Sequence, residues 1–188
     1  MLKIARLLTE VLSPTVLVTL FLVITGSVRD GVRGFWFGLI AAAFTALGPF
    51  AGILVAKRLG KVTDHHVSDR RQRVPVLVAS LGSAAVGLAL LLILGSPQSG
   101  VVGLLSVALG MVLVGAVSSF WKLSVHTAVV TFVALASVIS LGAAALPVLL
   151  VPATVGWSRV KLGDHTLAQV IAGVPAGGIV ALAYAASI

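Results

Sequence analysis

Apolar runs of roughly 20 residues recur along this chain, among them 11–28, 35–56, 75–95 and 166–186. A helix rises about 1.5 Å per residue, so such a run matches a hydrocarbon layer of about 30 Å. Backbone polar groups find no partner in lipid, which leaves transmembrane helices or a closed barrel as the possible folds. The strict alternation of barrel strands is missing. The runs therefore predict an all-α, polytopic transmembrane helical bundle, a single domain over 1–188. Charged residues make up 10% of the chain, against about 25% in soluble domains.

The first span is expected at 11–28 and the second at 35–56, followed by a basic loop at 57–74. Pro75 opens the third span, the turn Ser96-Pro97-Gln98-Ser99-Gly100 ends it, and the fourth runs to Phe120. A single helix from His126 to Trp157 would be nearly 50 Å long, too long for a bilayer. Gly142 and Pro147 mark a break, giving helices at 127–141 and 145–157. The total is about seven spans, or six if 127–157 is one helix. With seven, the loops at 57–74, 121–126 and 158–165 share the side of the N-terminus.

The net charge of +8 does not indicate nucleic acid, because the cations sit in short loops between spans. Lys3, Arg6, Lys57, Arg58, Lys61, Arg70, Arg71, Arg73, Lys122, Arg159 and Lys161 fall on the N-terminal side, against Arg29 and Arg33 on the other. Positive loops favour the cytoplasm. Glu10 interrupts the basic start and no small-residue cleavage site follows, so the first span is read as retained. Cysteine is missing, so no disulfide is expected.

Two polar clusters break the apolar pattern: Lys122-Leu123-Ser124-Val125-His126, and Ser158-Arg159 with His165 after five residues. A guanidinium forks onto phosphate oxygens, and imidazole titrates near neutrality, so one histidine can attack while another donates a proton. Lys122-x-Ser124-x-His126 and Ser158-Arg159-x5-His165 resemble the second and third motifs of the type 2 phosphatidic acid phosphatase superfamily, which includes vanadium haloperoxidases, over roughly 57–180. The resemblance implies a metal-independent phosphohydrolase without cofactor. His165 matches the nucleophile that forms a phosphohistidine, and His126 the acid that protonates the leaving alkoxide. Ser124 and Arg159 match phosphate-holding groups, with Lys122 and Ser158 beside them.

The chain departs from the family at Gln169, where the third motif has aspartate, and at Leu123 and Val125, which replace proline and glycine. Glutamine accepts a hydrogen bond but carries no charge, so Gln169 is expected to orient His165 more weakly, and Gln169→Asp to raise hydrolysis. The first motif is replaced by 61–75, where Lys61, Arg70 and Arg73 are candidate phosphate cations. Such loops resemble a divergent bacterial branch of the superfamily. This implies a multi-pass protein of the bacterial inner (plasma) membrane, with N-terminus and site cytoplasmic.

Simpler roles stand beside these. Arg159 and His165 could be interfacial residues at helix ends. His65 and His66 read as solvated loop residues. Asp64, His65, His66 and Asp69 could bind a divalent metal, but with five acids in the chain and no D-D-x-x-D, no metal is expected. Gly173, Gly177 and Gly178 suit close helix packing. The sequence favours a membrane lipid phosphatase acting on an isoprenoid, or else glycerolipid, phosphate or diphosphate. The alternatives are a prenyl-diphosphate-ionising cyclase or transferase, and a non-catalytic lipid-phosphate binding protein.

Overall fold

The computed structural model describes residues 1–60 and 70–188, with the side chains of Arg70 and Arg71 outside the described set. Lys61, Asp64, His65, His66 and Asp69 lie outside the described residues. The helices are α1 (Leu2–Val11), α2 (Pro14–Ala42), α3 (Gly48–Arg58), α4 (Arg70–Ile93), α5 (Gln98–Ser118), α6 (Val125–Leu141), α7 (Val151–Lys161) and α8 (Leu167–Ala185). A π-helical turn (Ala43–Leu47) joins α2 to α3, and a 3-10 segment (Gly142–Leu150) precedes α7. Among the described residues there is no strand. Among the described residues, five helical segments are long and apolar enough to cross a membrane. Leu92, Ile93, Ile171 and Leu182 point outward, so the outer surface is apolar, as lipid requires.

Two of those five segments double back. At Asp30 and Gly31 the backbone leaves helical angles, with Gly31 at φ 60 and ψ −141, a region open only to glycine. Gly34 then packs on the backbone of Gly26, and Gly38 on that of Leu22. Residues 8 and 16 apart would lie roughly 12 and 24 Å apart in one continuous helix. The arms 14–29 and 32–42 therefore form a tight antiparallel hairpin, in which glycines let the backbones meet. Gly142, at φ 68 and ψ −152, makes the second reversal, and α6 packs against both the 3-10 segment and α7.

Hydrogen bonds tie the helix ends into two groups. At one end Thr9 meets Ser158, Arg73 meets Ser118, and Lys122 meets Asp164. At the other, Asp30 meets Ser99, Arg33 meets the Gly95 carbonyl, and Gln98 meets the Ser187 carbonyl. Between them the core centres on Phe21, Phe132 and Tyr184 in edge-to-face contact. The Tyr184 hydroxyl is satisfied by Ser140 at 2.7 Å.

Three local features differ from the sequence expectations. The basic start is not a flank of the first span but a separate helix, α1. Pro14 lacks the N–H that would continue it, and opens α2 instead. The third helix begins at Arg70 rather than Pro75, because α4 extends past its apolar part into the basic segment. Gly173 sits against Ser124, Thr127 and Ala128, and Gly177 against Ala128, Thr131 and Phe132, so both do pack α8 onto α6. Gly178 faces open space.

Candidate functional site

The turns that carry the two polar clusters are built by capping. Ser124 is the N-cap of α6: its Oγ accepts from the Thr127 N–H at 3.4 Å and from the Thr127 hydroxyl at 3.0 Å. Thr166 caps α8 in a full capping box with Gln169. The Ser124 N–H donates to the Gln169 carbonyl at 3.2 Å, which locks the two helix starts together. His126, on the first turn of α6, and His165, just before α8, are thereby brought to one cavity.

That cavity has a volume of about 410 Å³. Its polar end is lined by Lys122, His126, Arg159, Asp164 and His165, with Arg73 from α4 and Glu10 from α1. Phe50, Ile53, Leu77, Met111, Phe132 and Val180 line the rest. Along α5 the lining runs from Ser118 to Ser106, roughly 18 Å at the helical rise. The π-helical turn contributes Thr45 and Ala46 to the wall. Its middle residue, Thr45, sits four residues before Pro49, whose ring removes an N–H and crowds the carbonyl of residue 45.

Arg159 is buried to 4% exposure on the last turn of α7. Its Nη1 lies 3.1 Å from the Asp164 carboxylate, yet neither Nε nor Nη1 has a protein acceptor in hydrogen-bonding alignment. Glu10 is near enough to act on the same charge. Lys122 reaches across to donate to the Asp164 carbonyl at 2.9 Å.

His165 Nδ1 is 3.1 Å from Gln169 Oε1. The same Oε1 accepts from the Thr166 N–H at 3.1 Å, which identifies it as the carbonyl oxygen. Nδ1 is therefore the donor, and the lone pair falls on Nε2. Burial holds the His165 pKa below its ordinary value of 6.5, the Arg159 cation lowers it further, the Gln169 hydrogen bond opposes this, and the Lys122 charge adds to the lowering. The Lys122 carbonyl, as a hydrogen-bond acceptor, works in the opposite direction.

The structure thus gathers His165, His126, Arg159, Lys122 and Arg73 around one space. Ser124 and Ser158 stand outside the cavity lining, both fully buried. The Ser158 hydroxyl donates to the Val155 carbonyl at 2.7 Å and so accepts from Thr9 at 2.8 Å. Gln169 touches His165 but not the cavity. Lys61 and the Arg70 side chain lie outside the described residues. Sequence reasoning assigned no role to Asp164 or Thr9, and read Glu10 only as a break in the basic start. Their signal was faint: Asp164 adjoins His165, and each acid is one of only five. No protein-family model, curated protein or solved structure matches this chain.

Proposed function

We propose that this chain is a membrane lipid phosphatase resembling the type 2 phosphatidic acid phosphatases, working through a phosphohistidine on His165. The observation that carries the reading is the shared cavity. Two histidines and a buried guanidinium with unaligned N–H groups stand at its polar end, and an apolar cleft continues from them. In this scheme Arg159, Lys122 and Arg73 hold the phosphate oxygens as charge develops. His165 Nε2 attacks phosphorus, and the bond to the lipid oxygen breaks. His126 gives its proton to the departing alkoxide. Water then attacks the phosphohistidine, His126 takes a proton back, and orthophosphate leaves. The alkyl or isoprenoid tail lies along Phe50, Leu77 and Met111.

The same proposal includes the topology. With reversals at Gly31 and Gly142, the helical arms make seven crossings, and the N-terminus and the site share the cytoplasmic side of a bacterial inner membrane. The excess of cations at that end supports this orientation. A second reading, ionisation of a prenyl diphosphate followed by cyclisation or transfer, is favoured by the uncharged Gln169 behind His165.

The test is product analysis on purified protein in detergent with EDTA, offering prenyl phosphates, prenyl diphosphates and phosphatidic acid. Orthophosphate from wild type, absent with His165→Ala, is the expected result. Pyrophosphate with a hydrocarbon product would select the second reading. Tight binding without turnover would leave a lipid-phosphate binding protein.

A further inference from the structure

Helix α1 sorts its residues into three faces. Ala5 and Thr9 are buried against α7. At about 100° per residue, Ile4, Leu7 and Val11 fall on a second face, and they are 57%, 62% and 56% exposed. Lys3, Arg6 and Glu10 fall on a third, also exposed. Its 10 residues give a length of about 15 Å, half of a hydrocarbon layer. Only two residues separate it from α2.

We infer that α1 is an interfacial helix that binds anionic phospholipid at the membrane surface and, from there, forms one wall of the cavity. Two arguments fix the occupant of its exposed apolar face. Continuity with α2 sets α1 at the level where a membrane-crossing helix ends. Lys3 and Arg6 flank the apolar side on one edge and do not share it, the arrangement that places leucines among acyl chains and cations among headgroups. The contacts of α1 with α7 and with the cavity carry the consequence. Thr9 holds α7 through the buried hydroxyl pair with Ser158, and Thr9 and Glu10 both line the cavity. A bound bilayer surface thus holds the wall beside Arg159 in place. This inference rests on the membrane bundle and not on the phosphatase reading.

The full chain, which has no native cysteine, allows a direct test in phosphatidylcholine vesicles with or without phosphatidylglycerol. An environment-sensitive fluorophore at Leu7→Cys is expected to emit to the blue and to be quenched by lipid-borne quenchers rather than aqueous iodide. At Lys3→Cys the preference reverses. With the fluorophore at Leu7→Cys, a quencher carried on phosphatidylglycerol is expected to outdo the same quencher on phosphatidylcholine by roughly fivefold per cation. Lys3→Gln with Arg6→Gln erases that difference while the blue emission persists. Iodide access at Leu7→Cys overturns the proposal, as does equal quenching by the two lipids. Energy transfer between labelled chains that rises with protein density would assign the face to a second copy and overturn it as well.

Discussion

The guanidinium of Arg159 lies 3.1 Å from the carboxylate of Asp164, although Arg159 is almost wholly buried and Asp164 is 39% exposed. A buried cation needs a compensating anion, and the partner here sits at the edge of the cavity, where an incoming phosphate could replace it. Asp164→Asn should lower stability by about 1–2 kcal/mol, less than the ~3–5 for breaking a fully buried pair, because solvent screens the exposed partner. Orthovanadate, as a phosphate mimic, should then raise the melting temperature more in Asp164→Asn than in wild type. Equal shifts in detergent would show that Asp164 does not stand in for an anion.

The two histidines should separate by leaving group. His165→Ala is expected to abolish phosphate release while the protein stays monodisperse. His126→Asn should slow alkyl phosphates by about 10²–10⁴-fold, the usual range for a lost general acid. The burst of nitrophenol from a nitrophenyl phosphate, which reads phosphohistidine formation alone, should slow far less, since that leaving group needs no proton. An equal loss in the formation step on both substrates would remove His126 from the acid role.

The lowered pKa of His165 sets the acid side of the pH profile. In the proposed mechanism the nucleophile works neutral, so rate should be retained as pH falls below 6.5 and lost only on passing through the depressed folded value. Removing the Lys122 charge removes one lowering influence. Lys122→Gln should therefore shift the acid limb upward, toward 6.5. Titration of the His165 ring by NMR, alongside the rate profile, checks this; an unchanged or lower limb contradicts it.

Gln169 serves two partners with one oxygen, the His165 ring and the Thr166 N–H. Aspartate is one methylene shorter, so Gln169→Asp should forfeit the capping box, at about 1 kcal/mol. Gln169→Glu keeps the reach and adds the charge that steadies an imidazolium. It should raise both the His165 pKa and the hydrolysis rate, whereas Gln169→Asp raises the rate less. A Gln169→Glu enzyme no faster than wild type would place the orientation of His165 elsewhere.

The reversal at Gly31 can be tested by labelling. Val32 and Leu59 are 77% and 65% exposed and bracket the second arm of the hairpin together with the π-helical turn and α3. In intact cells Val32→Cys should react with an impermeant maleimide from outside, and Leu59→Cys only after lysis. If Val32→Cys resists labelling even after lysis, 14–58 crosses as one helix.

What the sequence determined by itself is local. Hydropathy over about 20 residues identified the helical bundle, because lipid forces every buried backbone group into a helix. The breaks near 29–34 and 142–147 were legible because glycine with charge in the first, and glycine with proline in the second, interrupts an apolar run. Lys122, His126, Arg159 and His165 were legible as short-range spacings. The tertiary structure alone decided which helix ends meet. Thr9 pairs with Ser158 across 149 residues and Arg73 with Ser118 across 45, and no periodicity encodes such distances. It also decided which way a side chain turns. Ser124 and Ser158 sit inside the polar motifs, yet their hydroxyls serve a helix cap and an interhelical bond to Thr9, since a fully buried hydroxyl takes the nearest backbone or hydroxyl partner. Asp164 acquired its partner only when α7 ended and the chain turned back at Gly163, which brought its carboxylate to the guanidinium of Arg159.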